Sequence, residues 1–138
     1  MRVVLVVLAF AGMVVSALAL REHYRTGDSP CSINEKWDCG TVNKSPFAMV
    51  WGVPVAALGI AGYLLLGVLA MRDAFARLLD FTLASLGFSL YLAHIEKEVL
   101  GVWCIYCVIS LGIIGLMSLL TLGVAASRWL RPPPPAYR

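Results

Sequence analysis

Charge is what this sequence has least of. Acidic and basic residues make up 14% of its 138 positions, against about 25% in an ordinary globular domain, while 60% are hydrophobic and the mean hydropathy is +0.83. So little charge excludes a water-soluble domain. The net charge of +3 is scattered, with no basic run and no interleaving of basic and aromatic residues, which sets nucleic acid aside as a partner. Histidine and cysteine are also few, at two and four. Seven residues separate Cys31 from Cys39, which is not a zinc-knuckle spacing, and a cysteine pair inside an apolar run is an awkward source of ligands. No metal site is expected. What remains is one integral membrane domain over residues 1–138, its core made by helices packing in lipid.

The apolar runs divide into four. Val3 to Leu20 is an uncharged stretch of 18 residues, close to the roughly 20 needed to cross a bilayer. Arg2 and the Ala17-Leu18-Ala19 triplet resemble a secretory signal and its cleavage site, but the run exceeds the ~7–15 residues of a signal core and is read as a retained span. Residues 21–46 form a long polar loop holding Cys31 and Cys39. At this length it has a function to explain, and the stretch between its cysteines can hold a short interfacial helix with Ile33 and Trp37 on one face. Phe47 to Met71 is read as the second span, bent by Pro54 and rich in small residues that let helix backbones approach. Arg72 to Asp80 is read as a turn, 81–95 as the third span, and Glu96-Lys97-Glu98 as the return to water. The fourth span covers 102–127, and 128–138 is a proline-rich tail.

Trp103-Cys104-Ile105-Tyr106-Cys107 opens that last run. Two thiols three residues apart on a helix share a face and can close a disulfide or pass it on. A cysteine in the first turn also lies near unsatisfied backbone N–H groups that favour its thiolate, so Cys104 is the expected low-pKa thiol. Two crossings separate the loop from the turn before Cys104, which places all four cysteines on one side. The cations divide six inside to five outside, too even to orient the chain, so orientation rests on chemistry: disulfide-forming pairs belong in an oxidising space.

Cys31 and Cys39, then Asn43-Lys-Ser45-Pro-Phe and Gly52-Val-Pro54, then Tyr91-Leu-Ala-x-Ile leading to Cys104-x-x-Cys107, resemble the vitamin K epoxide reductase family over nearly the whole chain. The resemblance implies an all-α integral membrane fold: a four-transmembrane-helix bundle with a long cysteine-bearing extracytoplasmic loop between helices 1 and 2, capping a quinone pocket near the C-x-x-C. It implies that Cys104 and Cys107 are the active-site pair, with Cys107 facing the quinone and Cys104 exchanging disulfides with Cys31. Cys39 would then meet a thioredoxin-like partner. Ser45 matches a loop serine near the quinone and is equally placed to cap a helix. Trp51, Leu92 and Leu100 complete the quinone-site candidates, while His94 reads as interfacial.

Animal members carry an asparagine where Ala48 aligns and a tyrosine where Leu111 stands, so the reading favours a plain quinone oxidant, as in the bacterial branch, over epoxide reduction. The expected acceptor is a quinone of ubiquinone, menaquinone or vitamin K type. The expected thiol partner is a separate thioredoxin-like redox protein, since the chain ends at Arg138 without a fused one. The expected location is a bacterial inner membrane, with the cysteines facing the periplasm and both termini cytoplasmic. The alternatives are an epoxide or quinone reductase of an endoplasmic reticulum membrane and a non-enzymatic membrane subunit braced by two disulfides.

Overall fold

The structure is a computed structural model that describes residues 1–26 and 34–131. Its elements are α1 (Arg2–Tyr24), α2 (Cys39–Lys44), a 3-10 turn (Pro46–Ala48), β1 (Met49–Val50), β2 (Val53–Pro54), α3 (Val55–Met71), α4 (Phe75–Ile95), a π turn (Glu96–Leu100) and α5 (Ile105–Leu130). Three helical segments among the described residues are long and apolar enough to cross a membrane: Arg2–Tyr24, Phe75–Leu100 and Ile105–Leu130. The shorter apolar helix Val55–Met71 accompanies them.

Helix α1 packs along α3 and also touches α5, while α4 lies mainly on α5. Without water between helices in lipid, close packing and hydrogen bonds supply the association. Gly12 lets α1 approach Tyr63 so closely that a Cβ there would collide with the ring. Leu5, Ala9, Leu66, Leu69, Leu78, Ile114 and Met117 fill the centre. A polar seam joins α4 to α5, with Thr82 and Thr121 hydroxyls 3.2 Å apart and Ser118 Oγ donating to the Thr82 carbonyl at 3.3 Å. At the end away from the cysteines, Arg2 pairs with Asp73 at 3.0 Å and the Arg128 guanidinium lies 4.7 Å from the Phe75 ring centroid.

Several boundaries differ from the sequence expectation, each for a local reason. Hydrophobicity marks a lipid crossing and does not mark where a hydrogen-bond ladder ends, so α1 continues through charged residues to Tyr24. Its Glu22 is buried, 3.6 Å from Arg25. The second apolar run does not start as a helix at Phe47. Met49 and Val50 pair with Pro54 and Val53 across a two-residue turn, Trp51-Gly52, with φ of 51° and 79°. Two positive φ values in succession make a tight hairpin turn, and glycine supplies the second without strain. Pro54 thus precedes α3 as its N-cap and does not bend it. Asp73, at φ 53°, turns the chain quickly enough for α4 to begin at Phe75, so Arg77 and Asp80 lie on a helix. Between the loop cysteines, Ile33 falls outside the described residues, Trp37 is held as a strand-like bridge to Trp103, and the helix begins only at Cys39.

Candidate active site

The cysteine end is assembled by backbone bonds. Trp103 N–H donates to the Lys36 carbonyl at 2.7 Å and Asp38 N–H donates to the Trp103 carbonyl at 2.9 Å, tying the loop to the strand that enters α5. Asp38 then caps α2, its carboxylate accepting from Thr41 N–H at 3.1 Å. This starts α2 at Cys39, which is fully buried and packs in one cluster with Val42 and Cys104. The His23 ring donates to the Asn43 carbonyl, joining α2 to the end of α1.

Asn43, one helical turn after Cys39, is the hinge of the arrangement. Its Nδ2 donates to the Cys39 carbonyl at 2.8 Å and to Cys104 Sγ at 3.3 Å. Cys104 is the N-cap of α5, fully buried, and its backbone N–H donates to the Glu96 carboxylate at 3.2 Å. The Cys107 thiol beside it lowers the Cys104 pKa below the ordinary thiol value; burial opposes this, the Cys107 backbone N–H and Asn43 add to it, and the Glu96 charge works against it. That N–H contributes without closing a capping hydrogen bond. Cys104 and Cys107 are free thiols, whereas Cys39 is disulfide-bonded. Cys31 lies outside the described residues.

Below the pair is an apolar cavity of about 200 Å³ between the helices. Both thiols touch the Cys39 and Val42 cluster, but Cys107 also lines the cavity and Cys104 does not. Of the sequence candidates, Ser45, Leu92 and Leu100 line the cavity. Trp51 is not brought there: it sits at the hairpin tip, 99% exposed. Ser45 precedes the 3-10 turn but makes no side-chain cap, its hydroxyl donating instead to the Val42 carbonyl at 2.8 Å. His94 is exposed and away from the cavity.

The sequence profile of the Vitamin K epoxide reductase family matches residues 3–130. The chain belongs to the vitamin K epoxide reductase family. Members are membrane oxidoreductases, quinone-linked thiol oxidoreductases or epoxide reductases in general. In this vitamin K epoxide reductase family protein, Ala48 and Leu111 both line the cavity and leave it apolar there. Hydroxyls reach the wall from elsewhere: Tyr63 on α3 donates to the Ser110 carbonyl at 2.9 Å and lies 2.8 Å from the Ser110 hydroxyl.

Sequence reasoning missed three members of this site. Asn43 had a usable signal, since four residues after Cys39 on a helix puts it on the same face. Tyr63 was one aromatic in an apolar run. Glu96 was read as solvated beside Lys97 and Glu98, yet it is 3% exposed and lines the cavity.

Proposed function

We propose that this protein is a quinone-linked thiol oxidase that forms disulfides in a separate thioredoxin-like protein and passes the electrons to a membrane quinone. The observation carrying this reading is the division of the thiol pair, Cys104 packed with the loop cysteine Cys39 and Cys107 on the wall of an apolar cavity. The cavity suits one ring headgroup, being smaller than the roughly 300–1,000 Å³ of drug-sized pockets. Phe47, Leu58 and Phe88 both line it and are exposed on the bundle surface, so an isoprenoid tail would leave towards lipid. A bound quinone accepts two electrons and two protons. With Ala48 and Leu111 at the wall, the site lacks the side chains that animal members direct at an epoxide.

The relay runs by thiol exchange. A partner thiolate reduces the loop pair, Cys31 and Cys39. Cys39, the loop thiol packed beside Cys104, attacks the Cys104–Cys107 disulfide and frees Cys107 towards the cavity. This reverses the expectation that Cys31 is the inner thiol, and it leaves Cys31 as the thiol that meets the partner. Cys31 then attacks Cys39 and expels Cys104, whose lowered pKa makes it a good leaving group. The products are a loop disulfide and a reduced C-x-x-C pair.

The same reading takes the chain across the bilayer four times, α3 included, with the cysteines on the periplasmic side of a bacterial inner membrane. The deciding experiment is anaerobic: mix the purified protein with a reduced thioredoxin-like protein and a ubiquinone or menaquinone analogue, and follow quinone reduction. Cys39→Ser and Cys104→Ser should each abolish turnover, and Cys104→Ser should leave no covalent adduct between the loop and α5. Full turnover with Cys39→Ser would refute the relay.

A further inference from the structure

Three charged residues in a row, Glu96-Lys97-Glu98, follow α4, and only the first is buried. The side chains of Lys97 and Glu98 are 69% and 54% exposed and face each other at 4.0 Å. The difference comes from the π turn over Glu96–Leu100, which widens the helix just where Glu96 begins it. Such isolated widenings recur at functional sites. A carboxyl group buried in a membrane bundle is costly and marks proton or ion chemistry more often than packing.

Its surroundings narrow the role. Glu96 Oε2 accepts the Cys104 backbone N–H at 3.2 Å, and the Cys107 thiol is within hydrogen-bonding reach of the same carboxylate. Among the described residues that line the cavity, Glu96 is the only one with an acidic side chain, and no lysine, arginine or histidine stands with it. Of the hydroxyls that line the cavity, those of Ser45 and Tyr63 are committed, to the Val42 carbonyl and to Ser110. One carboxyl group therefore touches both reacting cysteines and the space where the acceptor would sit.

We propose that Glu96 is the proton carrier of the oxidative half-reaction, a catalytic residue that links the Cys107 thiol to the quinone oxygens. This rests on the quinone-oxidase reading above. The step starts from Cys104 thiolate, Cys107 thiol and Glu96 carboxylic acid. Glu96 gives its proton to one quinone oxygen, takes the Cys107 proton as that sulfur becomes nucleophilic, and passes it on to the ring. The sulfur–sulfur bond forms, two electrons and two protons leave for the quinone, and Glu96 remains as carboxylate. Net charge is −1 before and after. The next thiol proton released into the site by disulfide exchange reloads it.

The competing role is mechanical, with Glu96 serving only to accept an N–H at the start of α5. Glu96→Gln separates the two, since its amide oxygen accepts the same bond but its side chain cannot carry a proton. Single-turnover quinone reduction by the pre-reduced pair should fall about 100-fold in Glu96→Gln, within the usual range for acid–base catalysis. Exchange between the thioredoxin-like partner and the C-x-x-C pair should stay within about twofold. Glu96→Asp, which keeps the acid, should recover part of the loss. A second readout needs no quinone: redox-difference infrared spectra on reducing the pair should show a carboxylic-acid carbonyl band that vanishes in Glu96→Gln. Wild-type quinone reduction in Glu96→Gln, or absence of that band, would overturn the proposal. Wild-type protein that exchanges disulfides and shows the band but reduces no quinone would instead overturn the quinone reading.

Discussion

At the scale of single residues, the site depends on Asn43 holding a carbonyl of the loop and a sulfur of α5 with one amide. A hydrogen bond to a charged acceptor contributes about 1.5–3 kcal/mol, so the Cys104 thiolate loses a real part of its support when the donor goes. The lowered pKa means that Cys104 stays thiolate as pH falls below the ordinary thiol range and is protonated only further down. In Asn43→Ala, reactivity of Cys104 should therefore need higher pH, and its release from a mixed disulfide with Cys39 should slow by up to about tenfold at the low end of that range. Asn43→Asp keeps the shape but puts a like charge beside the sulfur, and should shift the profile further in the same direction. Alkylation against pH, read by mass spectrometry of the Cys104 peptide, measures both. An unchanged profile in Asn43→Asp would mean that the amide does not govern this thiol.

Among the elements, the pairing of α1 with α3 sets the cavity wall. Gly12 admits the Tyr63 ring, and Tyr63 reaches across to Ser110 on α5. Gly12→Leu should displace that ring, with an overpacking cost of about 1–3 kcal/mol, and break the bonds to Ser110. The measurement is unfolding in detergent alongside the KM for quinone: stability should fall and KM rise, while exchange with the thiol partner, which occurs above the cavity, should hold. The hairpin before α3 shows why this element was misread from sequence. Met49, Val50, Trp51 and Val53 are as apolar as any membrane span, and only the backbone at Trp51 and Gly52 turns them into a two-stranded cap. Gly52 and Pro54 were visible signs, but hydropathy alone reads them as a kink.

For the molecule as a whole, the question is which end faces which side. Lys36 and Lys97 lie at the cysteine end, and Asp73 lies at the opposite end, paired with Arg2. If the chain crosses four times, Lys36→Cys and Lys97→Cys, each in a background with the native cysteines replaced by serine, should react with a membrane-impermeant maleimide from one side. Asp73→Cys should react only from the other. Labelling of Lys36→Cys and Lys97→Cys from opposite sides would break the proposed path.

By itself, the sequence determined the membrane class, the approximate apolar runs and the grouping of Cys39, Cys104 and Cys107 at one end, because burial in lipid and the crossing of helices are written in composition and spacing. It could not decide how each side chain turns. Whether Glu96 faces water or the bundle depends on a π turn, and which thiol faces the loop depends on bonds between Trp103, Lys36 and Asp38 far apart in the chain. The cavity exists only where α1, α3, α4 and α5 fail to fill the space between them. These features come from contacts between distant segments, and a one-dimensional pattern carries no term for such contacts.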